Sequence, residues 1–232
     1  MNKVVNTAAE AVTPLGENLE QSWKSLLKGD SAIAPVTRFD CSRYHANIAA
    51  QVPDLTATAG RSLCSSLIER LLDGFDDIPS NSYLLLATNK GPVDLLETFL
   101  RAGETPDRRI LIEALHEELR FKLSIERHGI NINAACASPT IALARAGKMI
   151  ERGHADSVLV ICLDLMSEFV FSGFSSLQGL SQKPSRPFDK QRDGLSLGEG
   201  AAALLLMSAG VVLYRTQKRN CTDLGGLFRT MP

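Results

Sequence analysis

Short apolar runs alternate with amphipathic stretches along the chain. Lys3 to Val12 alternates loosely and reads as a strand. Pro14 and Gly16 then turn the chain into a helix over Asn18 to Lys28, with Leu19, Trp23, Leu26 and Leu27 predicted as its buried face and Gly29 and Asp30 ending it. Ser31 to Asp54 is loop-rich around Pro35 and Pro53, with a short strand expected within Asn47 to Val52. Leu63, Leu67, Leu71 and Leu72 recur at helical spacing and predict a second amphipathic helix over Thr58 to Leu72. Tyr83 to Thr88 is a continuous apolar run that suits a buried strand. Asn-Lys-Gly-Pro follows and introduces a helix over Val93 to Arg101. From Asp107 to His128 one long helix is expected, with Ile110, Leu111, Ala114, Leu115 and Leu119 as its stripe and His116 solvated on the polar side.

The stretch Gly129 to Gly153 joins a strand, a cysteine and a helix without a spacer. Ile130 and Ile132 alternate with Asn131 and Asn133, then Cys136 precedes a small-residue helix through Ile141, Leu143, Ala144, Ala146, Gly147 and Ile150. Pro139 fits the first helical turn, where a missing N–H costs nothing, and Gly153 stops the helix. Ser157 to Leu163 is a strand to be covered on both faces. Phe169, Phe171 and Phe174 then mix with serine and glycine, either walling a pocket or joining the core. A charged turn region, Lys183 to Leu195, leads into a buried strand over Gly198 to Leu206. Strands alternating with helices imply an α/β layered domain.

Composition narrows the function classes. With 25 basic and 26 acidic residues in 232, the net charge of -1 gives no global reason to expect nucleic acid or an anionic membrane as partner. The longest apolar runs, Ala201 to Met207 and Val158 to Leu163, are too short to span a bilayer, and no secretory signal is expected at the N-terminus. Five cysteines (41, 64, 136, 162 and 221) without a close pair argue against a disulfide framework and predict free thiols in a reducing, cytoplasmic compartment.

Few local motifs carry chemistry. Gly198, Gly200 and Ala203 have dinucleotide-loop spacing, but they enter a strand instead of leaving one, so no cofactor is expected. His45, His116, His128 and His154 have no ligand spacing, so no metal is expected either. The segment SGFSSLQG lacks the second glycine of a serine nucleophile elbow. Asp189, Arg192, Asp193 and Glu199 read as a turn held by ion pairs and carboxylate caps. Cys136 stands before a helix, where unpaired N–H groups favour an anionic sulfur. On spacing alone, though, it reads first as one more buried small hydrophobe.

Longer stretches change that balance. NAACASP, the helix after it and RGHADSVLV resemble the nucleophile region of the β-ketoacyl synthases of the thiolase superfamily. The likeness continues through SGFSSLQGLS and SRPFDKQRDGLSLGEGAAALLL, and covers the opening strand, TPLG turn, Trp-bearing helix and Arg-Phe-Asp near the N-terminus. The resemblance implies a thiolase-like N-terminal half, a layered mixed sheet covered by helices, as one domain over residues 1–207, with 208–232 a divergent tail. It further implies Cys136 as the nucleophile that takes an acyl group from acyl carrier protein or coenzyme A before decarboxylative condensation with a malonyl thioester. Phe174 would lie near the acyl pocket, and Arg186 at a surface that meets acidic carrier protein. Family members carry two histidines, a lysine and a glycine-rich loop in a later half that is not identifiable here. The resemblance therefore implies a homodimer or a heterodimer with a ketosynthase-like chain, and leaves open a non-catalytic partner, scaffold or remnant. Ala134 and Pro139 depart from the family pattern, which usually has Thr or Ser and Gly there.

Overall fold

A strand that is apolar on both faces has to be covered on both, and Ser157–Asp164 sets the architecture for that reason. In the computed structural model, which describes residues 1–57, 60–73, 75 and 77–215, Val158, Leu159, Val160 and Ile161 of this strand are fully buried. The strands are β1 (Val4–Val12), β2 (Ile33–Pro35), β3 (Ile48–Ala50), β4 (Tyr83–Ala87), β5 (Ile130–Ile132), β6 (Ser157–Asp164), β7 (Leu197–Gly198) and β8 (Gly200–Ser208). The helices are α1 (Leu19–Lys28), α2 (Leu63–Leu71), α3 (Val93–Ala102), α4 (Ile112–Lys122), α5 (Ser138–Glu151) and α6 (Glu168–Ser176). Residues 209–215 form a further helical segment.

The main sheet has the order β1-β8-β6-β4-β5. β4 lies parallel to β5 and β6, whereas β8 runs antiparallel to β6 and β1. One face carries α5, whose Ala142, Ala146 and Ile150 pack on Leu85, Ala87, Val158, Val160 and Cys162. The other carries α2 and α4, whose Leu67, Ile68, Leu71, Leu115 and Leu119 pack on Leu84, Leu86, Leu159, Ile161 and Leu205. A small sheet, β2-β3-β7, stands beside it over Ala46, Ala49, Met166, Phe171 and Leu180. This is the layered mixed sheet covered by helices that the sequence predicts. Among the described residues no helix is long and apolar enough to cross a membrane.

Several local expectations are corrected. The stripe of α1 faces outward: Leu19, Trp23, Leu26 and Leu27 are exposed, and Ser22 is the buried residue of the helix. Ser22 sits against the turn after β1, where its hydroxyl meets Thr13 Oγ1 at 2.8 Å. The long helix expected over Asp107 to His128 is broken. A short 3-10 turn at Arg108–Ile110 precedes α4, and after Lys122 the chain turns at Ser124 with φ 52. Of its predicted stripe, Leu115 and Leu119 are buried but Leu111 is exposed. His116 is half-buried instead of solvated, its Nε2 lying 3.2 Å from the Leu84 carbonyl of β4. Burial lowers its pKa, outweighing the upward pull of that carbonyl. The second predicted helix begins at Leu63, and residues 58–59 lie outside the described residues, as do 216–232 of the predicted tail with Cys221.

Candidate active site

Parallel strands deliver their C-terminal ends to one side of a sheet, where loops carry function. β4, β5 and β6 do so here, and each is followed by polar residues that bond to one another. Asp164, the last residue of β6, accepts hydrogen bonds from Thr88 Oγ1 at 3.1 Å, Asn89 N at 3.1 Å and Asn89 Nδ2 at 3.0 Å. Asn131 ties β5 to β4 twice, accepting from Thr88 N at 3.2 Å and donating to Thr88 O at 3.2 Å. Asn133 Nδ2 donates to Asn89 O at 3.3 Å. At the opposite end of β5, where the chain enters the strand, a residue without a side chain is needed. A Cβ on Gly129 would stand 1.6 Å from the Leu84 carbonyl oxygen.

The chain leaves β5 through a tight turn. Ala135 has φ 50, in the left-handed region that disfavours residues with a Cβ by about 1–2 kcal/mol. Cys136 follows, and α5 starts two residues later at Ser138 with Pro139 in its first turn. Ser138 is buried, and its Oγ accepts from Ala134 N at 2.8 Å and donates to Ala135 O at 2.7 Å. Both bonds close around the cysteine.

Cys136 itself is exposed, which corrects the buried-hydrophobe reading. The other described cysteines differ. Cys64 is buried with its thiol toward Gly91 O at 3.1 Å, and burial pushes its pKa up. Burial pushes Cys162 up to about 11 and raises Cys41 as well. Both features suppress thiolate formation. Beside the turn, Ser138, Pro139, Leu143, Cys162, Asp164 and Ala202 help line an open, mainly apolar groove of about 460 Å³.

The sequence model described as beta-ketoacyl synthase, N-terminal domain, matches residues 1–81 and 123–210. The chain belongs to the β-ketoacyl synthase family. It is 26% identical to 3-oxoacyl-(acyl-carrier-protein) synthase 2 of Coxiella burnetii over 95% of this chain and 60% of that protein. It is 28% identical to the enzyme of the same name from Synechocystis sp., over 93% and 60%. A solved structure titled the ishigamide ketosynthase/chain length factor superposes with a TM-score of 0.80 at 26% identity, covering 93% of this chain and 60% of that one. The chain thus spans about 60% of the length of these relatives.

The other sequence-predicted positions stand on α6 and in the charged turn region. Phe174 is on α6, partly exposed, while Phe171 of the same helix is the buried core aromatic, with Phe39 and Tyr44 edge-on at 5.5 and 5.4 Å. Arg186 is exposed but engaged, its Nη1 3.5 Å from Asp189 Oδ2 and its Nη2 donating to the Gln191 carbonyl. Among the described residues no hydrogen bond, ion pair or ring contact joins Phe174 or Arg186 to Cys136.

The charged block divides. Asp189 caps Gln191 N at 2.7 Å and Asp193 accepts from Ser181 Oγ at 2.8 Å, as a turn requires. Glu199 leaves it. Its buried carboxylate takes Arg38 in a fork at 2.6 and 2.7 Å, and accepts from Val52 N at 2.9 Å and Met166 N at 3.1 Å. Sequence reasoning missed Asn89, Ser138 and Asp164. Asn89 reads only as a helix lead-in, and a polar residue ending an apolar strand, as Asp164 does, was the signal available.

Proposed function

We propose that this chain provides the nucleophile half of a β-ketoacyl synthase-type acyl transfer, with Cys136 as the acyl acceptor. The observation that carries the reading is the exposed thiol of Cys136 on a strained turn into α5, above the C-terminal ends of three parallel strands. The sulfur adds to the carbonyl carbon of an acyl thioester, and the carrier thiol leaves with a proton as the new thioester forms. Acyl carrier protein or coenzyme A supplies that thioester. The condensation that follows uses a carbanion from a malonyl thioester that loses carbon dioxide, and covalent capture holds the electrophile where the carbanion forms. Groups that stabilise the developing charge, often the largest catalytic contribution, come from the remaining length that the relatives possess.

A second ketosynthase-like chain, identical or not, is the partner we infer. The outward Trp23 and Leu27 of α1 and the exposed Ile141 of α5 are the apolar surface that favours it. Phe174 is proposed at the acyl pocket and Arg186 at the carrier surface, the latter after release from Asp189. Residues 1–207 are proposed as the domain and 208–232 as its divergent tail. The alternative function, a non-catalytic partner of a complete ketosynthase, shares these surfaces but needs no acylation.

Intact mass after incubation with acyl carrier protein or coenzyme A thioesters decides between them. We expect one acyl adduct on the parent and none on Cys136→Ala. A folded parent that stays unmodified points to the non-catalytic role.

A further inference from the structure

We infer that Asp164, Asn89 and Ser138 form a positioning chain that holds the Cys136 turn in its reactive geometry, an inference that rests on Cys136 as nucleophile. The argument begins with polarity. An ionised carboxylate only accepts hydrogen bonds, so Asp164 turns the Asn89 amide nitrogen toward itself, with Nδ2 to Oδ2 at 3.0 Å. The Asn89 amide oxygen is left facing Ser138 Oγ at 3.5 Å. The backbone N–H of Asn89 and the hydroxyl of Thr88 bind the other oxygen of Asp164, both at 3.1 Å, which fixes the corner as a unit.

Ser138 holds the same turn from the α5 side, while Asn89 reaches it through its backbone carbonyl. Its hydroxyl has one proton, and at 2.7 Å the Ala135 carbonyl is the nearer acceptor. Its lone pairs face the Ala134 N–H at 2.8 Å. A serine that caps a helix accepts from N–H groups inside the helix. Ser138 accepts instead from a residue four positions upstream, outside α5, so its hydroxyl serves the turn. Asn89 grips the same segment from the other side, its carbonyl accepting from Asn133 Nδ2 at 3.3 Å. Asn133, Ala134 and Ala135 are thereby held immediately before Cys136, and the unfavourable φ of 50 at Ala135 is offset by the Ser138 bonds. None of the three side chains needs to touch substrate. They are positioning residues.

The test is performed on the full chain with Ser138→Ala, Ser138→Thr and Asp164→Asn. Two rates are read at Cys136 by peptide mass mapping: alkylation by iodoacetamide, and acylation by an acyl-coenzyme A thioester across its concentration range. Thermal unfolding identifies folded samples. Misplacing a reacting atom by about 1 Å costs up to about 100-fold. We therefore expect Ser138→Ala and Asp164→Asn to slow both reactions by about tenfold, on that scale. The acyl thioester concentration that gives half the maximal rate should stay unchanged. Ser138→Thr, which restores the hydroxyl, should recover most of the loss. Alkylation at or above the parent rate in folded Ser138→Ala and Asp164→Asn overturns the proposal. Should Ser138→Ala not fold, Asp164→Asn, equal in size and lacking one acceptor oxygen, decides by the same criterion. A parent that alkylates through a variant-sensitive Cys136 but takes no acyl group removes the acyl-transfer reading and leaves the positioning chain standing.

Discussion

Glu199 shows how far a single residue reaches across this fold. Its carboxylate is fully buried, and it binds Arg38, Val52 N and Met166 N, so it joins the start of β8 to the small sheet and to the loop after β6. Arg38 also donates to Met166 O at 3.1 Å, and 161 positions separate Arg38 from Glu199 in sequence. Removing one member of such a pair leaves a buried charge without compensation, at a cost of about 3–5 kcal/mol, whereas replacing both by apolar residues costs much less. We therefore expect Glu199→Ala to lower the free energy of unfolding by about 3–5 kcal/mol, and Arg38→Met with Glu199→Leu to recover most of it. Urea unfolding of the single and double variants measures this. An additive double variant would show that the pair is not the source. The same residue marks a limit of sequence reading. Glu199 looks like part of the Asp189 to Asp193 charge cluster because it is near in the chain, and only the sheet register brings Arg38 to it. Cys136 stood out in the sequence through the resemblance of NAACASP and the helix after it, since on spacing alone it reads as a buried small hydrophobe. Ser138 did not stand out, since nothing in sequence tells a turn-serving hydroxyl from an ordinary first-turn serine.

Among the elements, α4 and α1 show what periodicity does and does not determine. In α4 the apolar pair Leu115 and Leu119 was correctly read, but the neighbouring face is not simply solvent-facing, because His116 lies over the Leu84 carbonyl of β4. A residue one position from a buried leucine is placed at the rim of the contact, and its fate depends on what the sheet offers there. The titration of His116 tests this contact. Its folded pKa is depressed, first by burial and then by Arg120 and His128, against the pull of Leu84 O and Glu117. The unfolded chain therefore binds the proton more readily, so the contribution is complete above an unfolded pKa of about 6.5 and is lost as pH falls toward the folded value. We expect the melting temperature to fall from pH 8 to pH 5 more steeply in the parent than in His116→Gln, which keeps a donor for Leu84 O. Parallel melting curves would separate His116 from the acid sensitivity. In α1 the amphipathic stripe was equally legible, but its direction was not. A helical moment says that one face is apolar, and the covering surface decides which way that face turns.

At the scale of the whole molecule, that missing cover becomes the main physical problem. The order β1-β8-β6-β4-β5 brings three parallel strand ends together under Cys136, and α2 with α4 closes one face of the sheet. The α5 side stays more open, with Ile141 exposed and the apolar groove running beside Ser138 and Leu143 to Ala202. α1 adds Trp23 and three leucines at its own outward face. Burying one such large apolar side chain contributes about 1.5–3 kcal/mol, enough in sum to drive association. We expect the purified chain to sediment as a concentration-dependent oligomer, and Trp23→Ser with Leu27→Ser to shift it toward monomer without lowering the free energy of unfolding of that monomer. The second half of this expectation follows from exposure: the two side chains are 59% and 69% exposed and contribute little to the folded chain alone. Should the double variant associate as the parent does, α1 is not the contact, and the groove beside α5 becomes the surface to substitute next, through Leu143→Ser. Should the parent remain monomeric at every concentration, neither face drives self-association, and a different ketosynthase-like chain is the partner to supply in the acylation assay.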